Sequence, residues 1–505
     1  MPNMYHVGIF AGYVALCSVL HSRFVHAVPQ PYMDEPFHVA QTQAYCAGQW
    51  DEWDEKITTF PGLYIAATLV AWMRGNDASA CALPALRSLN LLPAIATPWL
   101  LSSLMSSLHP STRTTDHLAN VVVLTLLPTH FFFHFLFYTD SFATCSVLAL
   151  LRLALPRWPT NGHSSSACSA SASASEDAVA GRGGAIGKAS RSLAQFVVAA
   201  LAIGFRQTNA VWVAFVAASC TLRLLQRMGS LIAPCTQGEY TEDVHSRSAE
   251  CVSLASSTLV ASLREVLSKL TSHIFPTLLA AHAPLLLLLC AFAAFVLSNG
   301  GVVVGDKSNH MPTVHGAQML YLTGLASAPF VLHPHLTTDL IATLRSAVSD
   351  THRFPAIAFF AALLVLICCH CTLGHAFLLA DNRHYTFYLW RHVLGRHWAV
   401  RYMLAPVHLL LGYLFYPSLW RSQGALIALG LVACCALVLV PSPLIEPRYL
   451  TLPALLLRLH APPLRGAAQW LPPLLLFVVL NAGVLLVFLG RPYVWGDGSE
   501  ARLMW

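Results

Sequence analysis

Apolar residues along this chain run on without alternating with polar ones. Residues 7–28, 275–297, 354–379 and 471–489 each form an apolar stretch close to or beyond the roughly 20 residues a helix needs to cross a bilayer. Continuous runs predict helices, because a membrane-barrel strand would alternate. The pattern predicts about 12–14 spanning or half-spanning helices, at the usual length per span. Three polar stretches interrupt it. The first, 29–60, carries Asp34, Glu35, Asp51, Glu52, Asp54 and Glu55, with Lys56 as its sole Lys or Arg. The second, 157–192, is rich in Ser, Ala and Gly and reads as a disordered insertion without chemistry of its own. The third, 223–272, is mixed polar and lightly basic.

Composition agrees with a membrane-embedded chain. Of 505 residues 56% are hydrophobic and 10% charged, against about 25% charged in soluble proteins. Too little charge remains to cover a water-facing surface. A net charge of +6 without a basic run argues against nucleic acid as a partner. The fourteen cysteines lie mostly inside apolar runs, so no disulfide framework is expected. The run Cys368, Cys369, His370, Cys371 fans around a helix and converges poorly on one ion, so no metal site is expected. The first apolar segment lacks a basic flank and a small-residue cleavage site, and reads as a retained signal anchor.

Loop charge orients the chain. Arg157, Arg182, Lys188, Arg191, Arg223, Arg227, Arg247, Arg264 and Lys269 sit in the second and third polar stretches, which the positive-inside rule places in the cytosol. The opposite face then receives residues 29–60, 138–140, 205–209, 298–310, 381–396 and 446–449. Between residues 61 and 140 the helix parity does not close, which points to a re-entrant or half-spanning segment. Arg383, Arg391, Arg396 and Arg401 break the charge rule on that face. Either one helix is misplaced or these cations meet an anion, for which guanidinium forks are suited; a lipid phosphate is the natural candidate.

The adjacent Asp34 and Glu35, set among Tyr32, Met33 and Phe37, are candidate general bases, since partial burial raises a carboxylate's proton affinity. Such a pair is equally at home in a solvated loop. Acids in the first loop and Arg and His clusters further on suit transfer of a sugar from a lipid phosphate. There a carboxylate takes the hydroxyl proton while cations receive the leaving phosphate. A transporter is the non-enzymatic rival; it would show internal repeats, and no convincing repeat is present.

Eight motifs, in order, carry a resemblance. PYMDEPFHVAQTQAYCAGQW (31–50), WDEKITTFPGLY (53–64), FYTD (137–140), FRQTNAVW (205–212), NGGVVVGDKSNH (299–310), LLADNRHYTFYLWRH (378–392), EPRYLTLP (446–453) and RLMW (502–505) resemble the dolichyl-phosphate-glucose α-1,2-glucosyltransferases. That family adds the last glucose to the lipid-linked precursor of N-glycans. Departures are Glu55-Lys56 for the usual Pro-Met, Asp140 where Glu is common, Pro36 after the acidic pair, and the insertion.

The resemblance implies an all-α polytopic GT-C glycosyltransferase fold in the endoplasmic reticulum membrane, with lumenal active-site loops. It implies dolichyl-phosphate-glucose as donor, a diglucosylated dolichyl-diphosphate oligosaccharide as acceptor, the lipid bilayer as setting, inversion at the sugar, and neither metal nor cofactor. By motif position Asp34 becomes the base, with Glu35 as runner-up or sugar partner. Donor binding falls to Arg206, Gln207, Asn382, Arg383, His384 and Tyr385. Acceptor binding falls to His38, Trp53, Asp54, Asp306, Lys307 and Arg448. Open alternatives are a structural Arg206, a membrane-anchoring Trp53, solvating roles for Asp54, Asp306 and Lys307, and an Arg448 paired with Glu446.

Overall fold

The computed structural model describes residues 4–75, 79–155, 185–227, 264, 268, 274–307, 311–331, 345 and 354–505. The chain is built of helices, with one two-stranded hairpin pairing Tyr493–Val494 with Glu500–Ala501 among the described residues. Five described helices are long and apolar enough to cross a membrane: Val7–Ala27, Leu83–Leu108, His282–Asn299, Trp398–Gln423 and Ala467–Gly490. At 1.5 Å per residue a 21-residue helix spans about 31 Å, close to a bilayer's apolar thickness. The expected larger count is not reached by full-length spans among the described residues. Five shorter apolar helices, including Gly62–Met73 and Ala425–Leu439, accompany them.

The stretch in which helix parity fails contains Thr114–Thr125 and Pro128–Phe135, bent by 60° at the break. Pro128 opens the second piece, where its missing N–H costs no helical bond. The apolar run 354–379 is not one helix either. It ends at His370, and a new short helix begins at Ala376; between them Gly374 lies so close to the Trp390 indole that a Cβ would sit 2.7 Å from it.

Leu, Val and Ile side chains are exposed along Val7–Ala27, and Leu or Val side chains along His282–Asn299 and Ala467–Gly490, as lipid-facing helices require. The interior is led by Thr451–His460, whose ten residues are all buried, packed among Leu101, Leu124, Leu148, Trp212, Leu431 and Phe477. A helix enclosed on all sides is a rigid mount for the Pro447–Leu450 turn that precedes it.

Most of 157–192 and 223–272 lies outside the described residues. Where described, residues 185–192 open the helix Ala185–Phe205 and residues 223–227 close Asn209–Arg227.

One covalent feature corrects the expectation from cysteine placement. Cys46 and Cys81 form a disulfide across 35 residues. Cys46 ends the helix Glu35–Cys46 and Cys81 precedes Leu83, so both lie in loop margins outside the apolar runs.

Candidate active site

The acidic pair sits at a helix start. Asp34 occupies the N-cap of Glu35–Cys46 and Pro36 its first turn, so the unusual proline is accommodated at no cost in hydrogen bonds. Met33, just before, has φ 60°, a left-handed conformation that costs a branched or bulky side chain of order 1–3 kcal/mol. Such strain persists only where surrounding contacts fix the turn.

Those contacts belong to Glu35. It is 0% exposed, as is Arg87. Arg87 donates from Nε to Glu35 Oε1 at 2.8 Å and from Nη2 to Oε2 at 2.5 Å. The backbone N–H of Phe137 donates to Oε1 at 2.7 Å, and that of Tyr32 to Oε2 at 2.9 Å. The remaining Arg87 donors reach Val28 O at 2.6 Å and Gln30 O at 3.2 Å. Both oxygens of Glu35 are therefore occupied, and the pair ties the end of the first helix to FYTD. Breaking a buried pair by removing one partner costs about 3–5 kcal/mol. Glu35→Gln should lower the thermal midpoint of the detergent-purified protein sharply. Unchanged stability together with lost activity would instead mark Glu35 as a reacting group.

Asp34 is placed differently. Its backbone N–H donates to Tyr138 Oη at 3.0 Å, leaving the carboxylate 39% exposed and paired with Arg448 Nη1 at 2.8 Å. Arg448, 17% exposed, also donates to Glu446. Its guanidinium lies 5.3 Å from the Tyr138 ring and 5.6 Å from the Tyr449 ring. Arg206 packs on Tyr449 too, at 4.7 Å, and pairs with Asp140. Tyr449 thus has two guanidiniums against it, each countered by carboxylates.

Electrostatics sharpen the arrangement. Burial pushes the Asp34 carboxyl up, but Arg448, His38 and His384 together outweigh it and hold the group below its ordinary 3.8. Burial pulls His38 below its ordinary 6.5 in spite of Asp34, so the ring is neutral at neutral pH. His38 Nδ1 shares a hydrogen bond of 2.7 Å with Tyr64 Oη. The neighbouring carboxylates raise Arg448 against the desolvation that lowers it, so it is always a cation.

Other candidates serve the frame around this centre. Gln207 donates to Thr58 O at 2.6 Å and Val302 O at 3.2 Å, a strut between the first loop and 299–307. That loop docks closely: a Cβ on Gly305 would sit 2.4 Å from Glu55 O, and Asp306 N–H donates to Glu55 O at 2.7 Å. Lys307 folds onto Asn299. Asp54 accepts from Lys56 N–H at 2.9 Å. Trp53 packs 6.0 Å from Tyr64, and its buried Nε1 finds no acceptor among the described residues.

Arg383 grips Asp381 at 2.9 and 2.8 Å, and burial is outweighed by that grip so that Asp381 stays below its ordinary 3.8. Asn382 Oδ1 accepts from Tyr493 Oη at 3.2 Å. His384 bonds Trp505 O at 2.8 Å, and Tyr385 packs 5.5 Å from the Trp505 ring.

The structure thus gathers Asp34, Glu35, His38, Arg206, His384 and Arg448 at one place. Sequence reasoning missed Arg87, Tyr138, Asp140 and Tyr449 as members. Arg87 had a visible signal: a lone cation beginning an apolar run usually has a partner or a task.

Comparison with known proteins agrees with the motifs. The DIE2/ALG10 family model matches residues 28–459. A protein of Arabidopsis thaliana named Dol-P-Glc:Glc(2)Man(9)GlcNAc(2)-PP-Dol alpha-1,2-glucosyltransferase is 31% identical over 95% of this chain and 96% of its own length. Proteins of the same name from Rattus norvegicus and Homo sapiens are 30% and 29% identical, each over 96% of both chains. This chain belongs to the DIE2/ALG10 family.

Proposed function

We propose that this protein is a membrane glucosyltransferase. It moves glucose from dolichyl-phosphate-glucose in α-1,2 linkage onto the diglucosylated dolichyl-diphosphate oligosaccharide, the last step of N-glycan precursor assembly. The observation that carries the chemistry is the Asp34–Arg448 pair, 2.8 Å apart with the acid partly open to solvent. It joins a proton acceptor to a phosphate receptor within one site, in a chain whose full-length relatives bear the glucosyltransferase name.

The acceptor sugar's hydroxyl oxygen attacks the anomeric carbon of the donor glucose as the bond from that carbon to the phosphate oxygen breaks. The bonding pair leaves with the phosphate, and Asp34 takes the hydroxyl proton. A single displacement on a β-linked donor inverts to the α product. Arg448 and Arg206 receive the departing phosphate, in the manner of preorganised cations at developing charge. Arg448 thereby moves from the acceptor's diphosphate, where its motif alone suggested it, to the donor phosphate beside Asp34.

The resting pair has a consequence for timing. While Arg448 holds Asp34, the carboxylate is ionised but a feeble base. A donor phosphate that draws Arg448 towards itself raises the proton affinity of Asp34 when the hydroxyl arrives. His38, neutral and next to the acid, and Trp53, with an indole N–H to spare, serve the acceptor glycan. Asn382, Arg383, His384 and Tyr385 bound the donor side, and Asp54, Asp306 and Lys307 the outer acceptor side.

The Cys46–Cys81 disulfide favours an oxidising compartment for the first loop, in keeping with a site on the lumenal face of the endoplasmic reticulum membrane. The substrate assignment is tested with purified protein in defined lipid. Transfer is expected with the glucosyl donor and the diglucosylated acceptor. Equal use of a mannosyl donor, or a preference for the monoglucosylated acceptor, would overturn it.

A further inference from the structure

RLMW, residues 502–505, stands apart from the chemistry just described, yet it touches both halves of the site. The backbone of Arg502 clasps one hydroxyl: its N–H donates to Tyr32 Oη at 2.7 Å, and Tyr32 Oη donates to Arg502 O at 2.5 Å. Its guanidinium reaches the last carbonyls of two spanning helices, Phe488 O at 2.7 Å and Ala27 O at 2.7 Å. Such carbonyls lack partners within their own helix, and a cation there meets the negative end of each helix dipole. Arg502 is 6% exposed and Met504 1%, and Met504 packs with Phe24, Tyr32 and Phe488.

Two residues on, the same segment grips the cationic loop. Met504 N–H donates to Arg383 O at 2.9 Å, and Tyr385 N–H donates to Met504 O at 3.0 Å. His384 and Met504 form a parallel bridge, with His384 also bonded to Trp505 O at 2.8 Å. The hairpin before it adds the Tyr493 contact to Asn382 and sets Trp495 under Arg383, 5.2 Å away. On the other side Tyr32, two residues before Asp34, donates its N–H to Glu35.

We infer that residues 502–505 are a positioning strap: through Tyr32 and Arg383–Tyr385 they hold the loop bearing Asp34 and the loop bearing Arg383 and His384 at one separation. None of the four touches the reacting atoms. This role rests on the site proposed above, in which the base comes from the first loop and cations come from several others. Small displacements between reacting groups are expensive, about 10²-fold in rate for 1 Å. Residues 502–505 cannot bind to one loop without registering it against the other.

The test removes a single hydroxyl. Full-length Tyr32→Phe keeps the ring and its packing but leaves the Arg502 N–H without its acceptor. Hydrogen exchange of peptides covering 28–38 and 378–390 is read alongside transfer kinetics. Both peptides are expected to lose protection together, and kcat is expected to fall at least tenfold with a smaller change in donor KM. A thermal midpoint within a few degrees of wild type separates this from unfolding; should Tyr32→Phe not fold, Met504→Pro, which deletes the N–H donated to Arg383, takes its place. Unchanged exchange at 378–390 overturns the coupling. Faster exchange with unaltered kcat overturns the role in transfer. An active Asp34→Asn enzyme would sink the base assignment yet leave the exchange result standing, so the two failures are distinguishable.

Discussion

Asp34→Asn should cut glucose transfer by orders of magnitude while leaving the protein folded and able to bind donor. The substitution keeps the shape of the side chain and its backbone bond to Tyr138. Arg448 retains Glu446 as a partner, so no cation is stranded. What disappears is the one carboxylate of the pair that is open to a substrate. General base catalysis contributes about 10²–10⁴-fold, and kcat should fall by that order. Steady-state kinetics with donor in excess checks the size of the loss, and donor-induced thermal stabilisation checks that binding survives. Full activity would remove Asp34 from the base role. Glu35 could not simply replace it, because four donors already occupy its oxygens.

Arg448→Gln has the second large effect, and it is visible in two independent readouts. Removal of one preorganised donor at developing charge costs about 10²–10³ in rate, so kcat/KM for donor should fall at least a hundredfold. The pH dependence should move as well. In the wild type Asp34 is held below 3.8 because Arg448, His38 and His384 outweigh burial. A depressed carboxyl stays deprotonated, and usable as a base, until the pH falls through that low value. Without Arg448 the largest opposing charge is gone, so the pKa rises. Since kcat/KM reports groups of the free enzyme, its acid limb should shift to higher pH, and the variant should lose activity at an acidic pH that the wild type tolerates. A pH profile superimposable on wild type would show that Arg448 does not govern Asp34.

Much of this site is legible in the sequence. The acidic loop, FYTD, FRQTN, the 381–385 cations and EPRY were each recognisable as polar groups at the edges of apolar runs, and the structure brings members of all five together. Their pairings were not legible. Glu35 and Arg87 are 52 residues apart, and both look like ordinary charges until the fold places one against the other in a dry interior. Gln207 lies beside Arg206 in the motif, yet its amide turns to the carbonyls of Thr58 and Val302. Residue type fixes what a side chain can bond, whereas its direction is set by helix packing over hundreds of residues. The disulfide was missed for a simpler reason. Most cysteines here do sit in apolar runs, and Cys46 and Cys81, which pair, do not.

The fold was legible to the same degree. Long apolar runs became helices, and the ends of Val7–Ala27 and Ala467–Gly490 fall within a few residues of the expected ones. The run at 354–379 was misread as one helix because its apolar flanks outweighed the short Thr372, Gly374 and His375 interruption at which it breaks. An apolar residue favours the membrane or the core without saying whether the backbone there stays helical.

The most direct test of the central claim, direct displacement at the Asp34–Arg448 centre, is the configuration of the new bond. Purified protein, the β-linked glucosyl lipid phosphate and the diglucosylated acceptor are combined, and the product is examined by NMR. A terminal glucose in α-1,2 linkage is the predicted result. A β-linked product from folded, active protein would contradict single displacement and require a covalent glucosyl–enzyme intermediate.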